Sequence, residues 1–283
     1  MPDQFGDYNL LDVLGSGDMG TTYRAQHPSQ AEPVALKILD KVDSSNEMQR
    51  HAAVEILEFA ATLKHERLTP ILEVLDSPHG EARLALVMPL SPIASIASLA
   101  AKGKAISPKQ GFQLVGQIAS GLQFLHGQEV AHGGVKPSNI LLDAEGNATL
   151  TDLSMAHLRE FGYVPAHPST QHMFYAPPER AYHGTPQTED DVYSLAVLTY
   201  YLLTGEIPFN EPMPEARDIV PPRNLPPAVA AVLRRALGPQ SRVRYATLAE
   251  FLPTLKDATQ GKVDEQTEKL FGYTPPPPPP EGT

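Results

Sequence analysis

Apolar and polar positions divide the chain into a front that is rich in short strands and a back that is mainly helical. In the front, apolar and β-branched runs bounded by Gly, Asp or Pro predict strands over 8–14, 21–26, 33–39, 71–77 and 83–88. Between them, Val54, Leu57 and Ala61 recur at three- and four-residue steps, which predicts one long helix over about 45–63. The front is therefore predicted to be a sheet with a single main helix.

Helix signals dominate after residue 92. Ser107 and Pro108 predict a helix start, because serine caps the first turn and proline is favoured there. Residues 190–205 are nearly apolar on all sides and end in a glycine, which predicts a buried helix. Shorter amphipathic helices follow at 226–238 and 247–255. Together, the two halves predict an α+β protein of two lobes with a cleft between them.

Composition removes several classes of function. The 283 residues include no cysteine, so disulfides, thiolate metal sites and cysteine nucleophiles are excluded. With 22 Lys and Arg against 33 Asp and Glu, the net charge of −11 disfavours a broad face for nucleic acid. No apolar run reaches the roughly 18 residues of a membrane span, and the start lacks a signal-peptide pattern. We therefore expect a cytoplasmic protein without nucleic-acid partners.

Residues 259–283 are predicted to form a charged and proline-rich tail or linker. Within them, residues 275–280 are six consecutive prolines. Such a run adopts polyproline II, because each ring fixes φ and removes a backbone donor. It serves either as a stiff spacer or as a docking ligand for an aromatic-lined groove, and the sequence leaves both open.

Residues 15–20 form a G-x-G-x-x-G pattern, which occurs in phosphate-binding loops and in plain structural hairpins. A dinucleotide site needs a helix directly after the last glycine and an acidic residue about 20 positions further on. Asp40 fits the second requirement loosely, but the β-branched residues after Gly20 favour a strand. The pattern therefore predicts a strand–loop–strand hairpin whose backbone N–H groups cover a nucleotide's phosphates.

Lys37 lies within the apolar strand predicted at 33–39. Burying a lysine is costly unless it is paired or faces a ligand, although a single strand lysine can also extend its amine to solvent. Because Lys37 follows the glycine hairpin by one strand, we interpret it as a candidate clamp for the α- and β-phosphates.

Five further motifs follow in chain order, and with the first two they carry a family resemblance. They are HGGVKPSNILL at 132–142, TDLS at 151–154, YAPPE at 175–179, DVYSL at 191–195 and TGEIPF at 204–209. In this order and spacing, the chain resembles a bacterial-type serine/threonine protein kinase domain over about 8–255. Each motif alone is modest, but a chance match of seven in the correct order is very improbable.

The resemblance implies a domain organisation. It predicts a bilobal protein-kinase-like fold over 8–258, with a β-rich N-lobe and a helical C-lobe. Its parts are the N-lobe at 8–88, the hinge at 89–91 and the C-lobe at 92–258, followed by the tail at 259–283.

The resemblance also implies ATP as ligand and Mg²⁺ as metal. Asn139 and Asp152 match the two metal ligands of the family. The positions that match its nucleotide-binding residues are Leu14, Gly15, Gly17, Gly20, Thr22, Ala35, Lys37, Met88, Ser91 and Leu141. Asp18 stands where the family often has a third glycine. Its carboxylate is expected near the phosphates, where its charge should weaken nucleotide binding.

Two departures from the family pattern affect catalysis. The aspartate that accepts the substrate hydroxyl's proton is replaced by Gly134, although Lys136 is retained two residues later. The arginine that precedes this aspartate is replaced by Gly133. The resemblance therefore implies no catalytic base. Leu153 in place of a phenylalanine is a mild departure, because leucine fills the same apolar socket, whereas Ser154 in place of a glycine removes a backbone hinge.

Lys37 should pair with a glutamate of the predicted helix at 45–63. The ungapped family register places Ile56 at that position, one residue after Glu55. One residue corresponds to 100° around a helix. We predict that a one-residue slip brings Glu55 to Lys37.

Other matches imply scaffold roles. Glu179 and Arg242 match a pair that braces the C-lobe, and Asp191 matches a structural anchor. His167 and His172 lie five residues apart in a loop that contains proline, and we interpret them as surface residues.

Three functions remain open. We favour a pseudokinase that binds ATP and acts as a signalling or interaction module for unidentified proteins. The second is a serine/threonine kinase of low turnover, because phosphoryl transfer depends mainly on positioning and on metal and lysine charge. The third is an interaction scaffold that binds no nucleotide. In a longer protein, the resemblance implies that the prolines lead towards a membrane tether; it predicts no oligomeric state.

Overall fold

The computed structural model describes residues 4–39, 46–77, 83–90, 95–153, 155–158, 170–180, 184–210, 225–262, 264–265 and 267. Ser91, Ser154, His167 and the proline run at 275–280 lie outside the described residues, so the expectations placed on them stay predictions.

The front of the chain forms one antiparallel sheet of six strands, in the order β1-β2-β3-β4-β6-β5. The strands are β1 (Gln4–Phe5), β2 (Tyr8–Ser16), β3 (Thr21–Gln26), β4 (Val34–Ile38), β5 (Glu73–Ser77) and β6 (Arg83–Pro89). Every residue of β4 is buried, because the strand lies in the middle of the sheet. The five strands predicted from the apolar runs are confirmed, with shifts of one or two residues at half of their ends.

Helix α1 (Glu47–Thr62) is the single main helix of the front. Asn46 caps it by accepting hydrogen bonds from the next turn's backbone N–H groups. Its buried positions are Ala53, Leu57 and Ala60, which form the stripe that packs into the main core.

The back of the chain is helical, as predicted. Its helices are α2 (Ile96–Ala101), α3 (Pro108–His126), α4 (Thr170–Tyr175), α5 (Thr188–Thr204), α6 (Pro227–Ala236) and α7 (Leu248–Ala258). Helix α3 begins at the predicted Ser107 cap, whose side chain accepts from Gln110 N–H. Helix α5 is buried along most of its length and ends at Gly205, whose φ of 77° requires glycine. A central buried helix thus organises this lobe.

A small hairpin joins the two lobes beside the cleft. Strands β7 (Ile140–Leu142) and β8 (Ala148–Leu150) pair antiparallel, and Thr69 N–H donates to the Leu150 carbonyl. A bridge between Ser95 and Leu141 connects the same hairpin to the start of α2. These links fix the floor of the cleft relative to the sheet above it.

The chain after α7 folds back onto the helical lobe. Asp264 binds Arg235 at 2.6 Å, Thr267 is fully buried, and the Tyr245 hydroxyl contacts Thr267 at 3.0 Å. Packed structure therefore continues past the boundary predicted at 258, because the buried Arg235 needs a carboxylate partner. Along the described ranges, no helix is long and apolar enough to cross a bilayer.

Candidate functional site

The glycine hairpin has the predicted strand–loop–strand form. β2 and β3 pair up to Ser16 and Thr21, and Gly17 N–H donates to the Gly20 carbonyl across the turn. At Gly20 a Cβ atom would lie 1.9 Å from the carbonyl oxygen of Ile38, so only glycine allows this approach. At Gly17 a Cβ would meet nothing within 4 Å. Gly20 therefore allows the turn to pack against Ile38, whereas Gly17 leaves open space beside the turn.

A cavity of about 640 Å³ lies between this hairpin and the helical lobe. It is of the size that encloses a small-molecule ligand. The sequence-predicted residues that line it are Leu14, Gly15, Gly17, Thr22, Ala35, Lys37, Met88, Asn139, Leu141 and Asp152. The apolar walls of the cavity, which suit a flat aromatic base, are formed by Leu14, Ala35, Met88 and Leu141. The charged residues of the lining lie in a different part of the cavity. Gly20 supports the turn from outside this lining.

Lys37 binds Asp152, with 2.6 Å between Nζ and Oδ1. Lys37 is 5% exposed on β4, so the ion pair satisfies a lysine that would otherwise be buried alone. Burial alone would raise the pKa of the Asp152 carboxyl, but the charge and hydrogen bond of Lys37, helped by Lys136, hold it below its usual value. Asp152 also has a φ of 67°, a rare conformation for aspartate. The carboxylate is thus ionised and held in a specific position.

Glu55 does not reach Lys37, and the predicted pair is wrong. Its side chain is 69% exposed and lies 3.7 Å from His51, one turn away on the same outer face. The inward positions of α1 are Ala53, Leu57 and Ala60. A one-residue slip cannot correct this, because Glu55 is about 160° around the helix from both Ala53 and Leu57. In α1, which the structure describes throughout, the inward stripe is apolar.

The segment that carries Gly134 is anchored by Asp191 of α5. Its buried carboxylate accepts from His132 N–H at 2.7 Å and from Gly133 N–H at 2.8 Å, and it contacts His126 Nε2 at 2.9 Å. The anchor role predicted for Asp191 is confirmed. Gly133 has a φ of 66°, so these two hydrogen bonds hold the backbone in a conformation that favours glycine.

His132 orients the same segment from within the core. Its Nδ1 accepts from Gly134 N–H at 3.1 Å, so Nε2 carries the proton that is donated to the Thr151 carbonyl at 3.0 Å. Complete burial lowers the pKa of His132, which keeps the ring neutral in this arrangement. His132 therefore serves as structure and stands back from the cavity.

The two neighbouring glycines differ in the space around them. A Cβ at Gly133 would lie 2.6 Å from the Ala156 side chain and 2.7 Å from that of Pro186. A Cβ at Gly134 would meet its nearest atom, Asn139 Nδ2, at 3.4 Å, an ordinary contact. Position 134 can thus accommodate a side chain, whereas position 133 cannot without repacking.

Lys136 and Asn139 complete the lower wall. Asn139 donates from Nδ2 to the Gly134 carbonyl at 2.9 Å. Lys136 binds Asp18 of the glycine turn, with 3.1 Å between Nζ and Oδ2. Sequence reasoning placed Asp18 near the phosphates but missed this partner, because 118 positions separate the two residues.

The predicted brace of the helical lobe needs a correction. Glu179 binds Arg244 through two hydrogen bonds of 2.7 and 3.1 Å, and Arg244 also lies over the Tyr193 ring at 4.7 Å. Arg242, the predicted partner, instead donates to Gln240. Arg242 lies within the short turn Ser241–Val243 and Arg244 directly follows it, so the winding of the turn directs Arg244 and not Arg242 towards Glu179.

His172 is a third residue whose sequence-based assignment was wrong. It was expected on the surface, but it is 6% exposed on α4 and lines the cavity. Helix α4 forms within a segment that was interpreted as a loop, and it turns His172 inward. The sequence of this segment has no apolar periodicity strong enough to predict the helix.

Comparisons with known proteins agree with this geometry. Residues 8–226 match the family described as the protein kinase domain. The chain is 29% identical to CBL-interacting protein kinase 4 of rice over 95% of its length and 62% of that protein. It is 27% identical to serine/threonine-protein kinase PknE of Mycobacterium tuberculosis and to PrkC of Bacillus subtilis, covering 87% and 94% of this chain. It spans 45% and 42% of those two proteins, less than half of each.

Solved structures of similar proteins have the same fold as this chain. The kinase domain of Mycobacterium tuberculosis PknI superposes with a TM-score of 0.68 at 23% identity, covering 90% of this chain and 97% of that one. The strand-rich and helical lobes are those of this architecture. Since the family match covers most of the chain and includes the cavity walls, the chain belongs to the protein kinase domain family.

Proposed function

We propose that this domain binds an adenine nucleotide in the cleft but does not transfer its phosphate, so that it works as a pseudokinase: a binding module for other proteins. The observation that carries the proposal is Gly134. In protein kinases this position holds the aspartate that accepts the substrate hydroxyl's proton. Here the anchored backbone is retained and the acceptor is absent.

In the described part of the cavity lining, no other carboxylate is well placed to replace that acceptor. Among the described residues that line the cavity, the carboxylates are those of Asp18 and Asp152. Each is bound to a lysine, at 3.1 and 2.6 Å respectively. A carboxylate held in an ion pair is a weak proton acceptor, because the neighbouring cation favours its ionised form. Loss of the base therefore has no evident compensation.

The nucleotide-binding half of the proposal rests on the retained groups. The apolar walls near Met88 suit adenine, and the Pro89 carbonyl beside them offers an acceptor. Lys37 supplies a fixed positive charge for phosphate oxygens. We infer that a nucleotide lies with its base against Met88 and its phosphates towards Lys37.

Asn139 and Asp152 fit a magnesium site by the chemistry of their donors. Mg²⁺ is usually held by one or two carboxylates together with substrate phosphates, all through oxygen. Asp152 is an ionised carboxylate, and Asn139 turns its amide nitrogen to Gly134. Its amide oxygen accepts from Ser138 Oγ at 3.3 Å and retains a second lone pair for a metal. When bound there, the ion would neutralise phosphate charge.

A kinase of low turnover is the second candidate. Lys37, Lys136 and Asp152 remain, and positioning with electrostatics supplies most of the rate in phosphoryl transfer. The apolar inward stripe of α1 argues against it, because no glutamate of that helix holds Lys37. Transfer that disappears in Asp152→Ala would favour this candidate.

Thermal unfolding tests nucleotide binding directly. At a ligand concentration of 100 Kd, ATP with Mg²⁺ should stabilise the domain by about 2.7 kcal/mol, a rise in Tm of roughly 5–10 °C. Lys37→Met should lose most of this shift, because it removes the phosphate partner. Lys104→Met changes the charge equally outside the cavity and should keep it. Absence of any shift would favour the scaffold that binds no nucleotide, whereas an equal shift in Lys37→Met would contradict the role of Lys37 as the phosphate partner.

Partners and cellular location follow from the same proposal. We infer that the surface of the kinase fold binds other proteins in the cytoplasm, with nucleotide occupancy setting which conformation they meet. In a longer protein, the tail at 259–283 would connect this module to further segments.

A further inference from the structure

Two ion pairs cross the cleft in opposite senses. Lys37 of the upper lobe binds Asp152 of the lower lobe, and Asp18 of the upper lobe binds Lys136 of the lower. All four residues line the same cavity, and their side chains are between 6 and 20% exposed. Two positive and two negative charges therefore balance within the phosphate-binding part of the cavity.

The residues next to Asp18 hold the glycine turn in this closed position. Met19 is 5% exposed and packs in the main apolar core. Gly20 lies against the Ile38 carbonyl so closely that no side chain fits there. Asp18 is therefore presented to Lys136 by a turn that is anchored on its far side.

On the premise of the proposed function, that the cleft binds an adenine nucleotide, we propose that Asp18 occupies the place at Lys136 that a terminal phosphate would take. Carboxylate and phosphate both bind an ammonium through anionic oxygens, so the two compete for the same donors. The cleft is consequently selective for adenosine or AMP over ATP. Asp18 is the residue that sets this specificity.

The energetic argument compares what each ligand has to displace. Adenosine brings no charge and leaves both ion pairs intact. ATP has to separate Asp18 from Lys136 and then lies beside the freed carboxylate, where the repulsion is only partly screened. The net charge of −11 on the chain adds to this penalty. Mg²⁺ offsets part of the triphosphate charge, so the selectivity is smaller when the metal is present.

Calorimetric titration of the whole chain tests the inference. The ligands are adenosine, AMP, ADP and ATP, each with and without Mg²⁺. The wild type should bind adenosine and AMP more tightly than ATP. Asp18→Asn should raise the affinity for ATP about tenfold, as expected for one carboxylate removed from a half-buried cation, and leave that for adenosine within about twofold. Asp18→Gly provides a second route if the asparagine variant does not fold.

The matched control is Asp12→Asn. Asp12 pairs with Arg24 on the neighbouring strands and is exposed, so this variant changes the charge equally without touching the cleft. It should keep the wild-type ratio of ATP to adenosine affinity. Combining Asp18→Asn with Lys136→Gln should abolish the gain for ATP, because the released cation is then absent.

Two outcomes would overturn the inference, and they are distinguishable. An unchanged ratio of ATP to adenosine affinity in Asp18→Asn and Asp18→Gly would refute the role of Asp18 while nucleotide binding stands. Absence of binding by every ligand in every variant would refute both this inference and the proposed function.

Discussion

Gly134→Asp should give this domain phosphotransferase activity, which the proposed function holds to be absent from the wild type. A restored general base is typically worth about 10²–10⁴-fold in rate. We expect a gain near the lower end, because the inward stripe of α1 is apolar and packs in the core, and Lys37 is held by Asp152 instead of a helix glutamate. The measurement is transfer of radiolabelled phosphate from ATP to a histone and to the domain itself.

The fold should tolerate this substitution. The added Cβ meets Asn139 Nδ2 at 3.4 Å, and Gly134 does not have a positive φ. Its melting temperature should therefore stay close to that of the wild type. Gly134→Asn is the matched control, since it adds nearly the same volume without a proton acceptor, and it should remain inactive. Equal activity in the asparagine and aspartate variants would show that the base is not what the site lacks.

Asp191→Ala should produce the largest loss of stability from a single polar side chain. Its carboxylate is fully buried and binds two backbone N–H groups and a histidine. Removal leaves buried donors without acceptors and releases Gly133 from its left-handed conformation. We expect about 3–5 kcal/mol of destabilisation in the free energy of unfolding measured with denaturant.

A neighbouring acid serves as the control for Asp191. Glu189 lies in the same first turn of α5 and is exposed, so Glu189→Gln should change the free energy of unfolding by less than about 0.5 kcal/mol. Asp191→Asn should fall between the two, because an amide keeps one acceptor oxygen and turns an NH₂ towards the other donor. A loss below about 1 kcal/mol in Asp191→Ala would contradict the anchor role.

Local chemistry explains why much of the fold was predictable. The hairpin of β2 and β3 was expected because β-branched residues follow Gly20, and the structure has that form. The cap at Ser107 and the end at Gly205 were readable because their causes lie within one turn of the chain. Signals of this kind depend on neighbouring residues, which a sequence shows directly.

The rotation of α1 about its axis was not predictable in the same way. The sequence pattern marked Val54, Leu57 and Ala61 as recurring apolar positions. In the structure Ala53, Leu57 and Ala60 are fully buried, while Val54 and Ala61 are partly buried against the same core. Apolar residues occupy adjoining positions around the helix, so packing against the rest of the protein decides which of them turn fully inward. With this orientation of α1, the Glu55 side chain faces outward and does not reach Lys37.

Contacts between distant residues were the other gap. The sequence placed Asp18 near the expected phosphates and Lys136 two residues after Gly134, but their pairing depends on how the glycine turn closes over the cleft. The partner of Glu179 was wrong for a similar reason. Arg242 and Arg244 are equally good candidates in the sequence, and only the conformation of the turn shows that Arg244 points towards Glu179.

The most direct test of the central claim is phosphate transfer by the wild type when its cleft is saturated. Binding of ATP with Mg²⁺ is measured first by calorimetry, and transfer is then assayed well above the measured Kd. We predict saturable binding with no more transfer than in Asp152→Ala. Transfer by the saturated wild type that disappears in Asp152→Ala would contradict the claim and identify an active kinase.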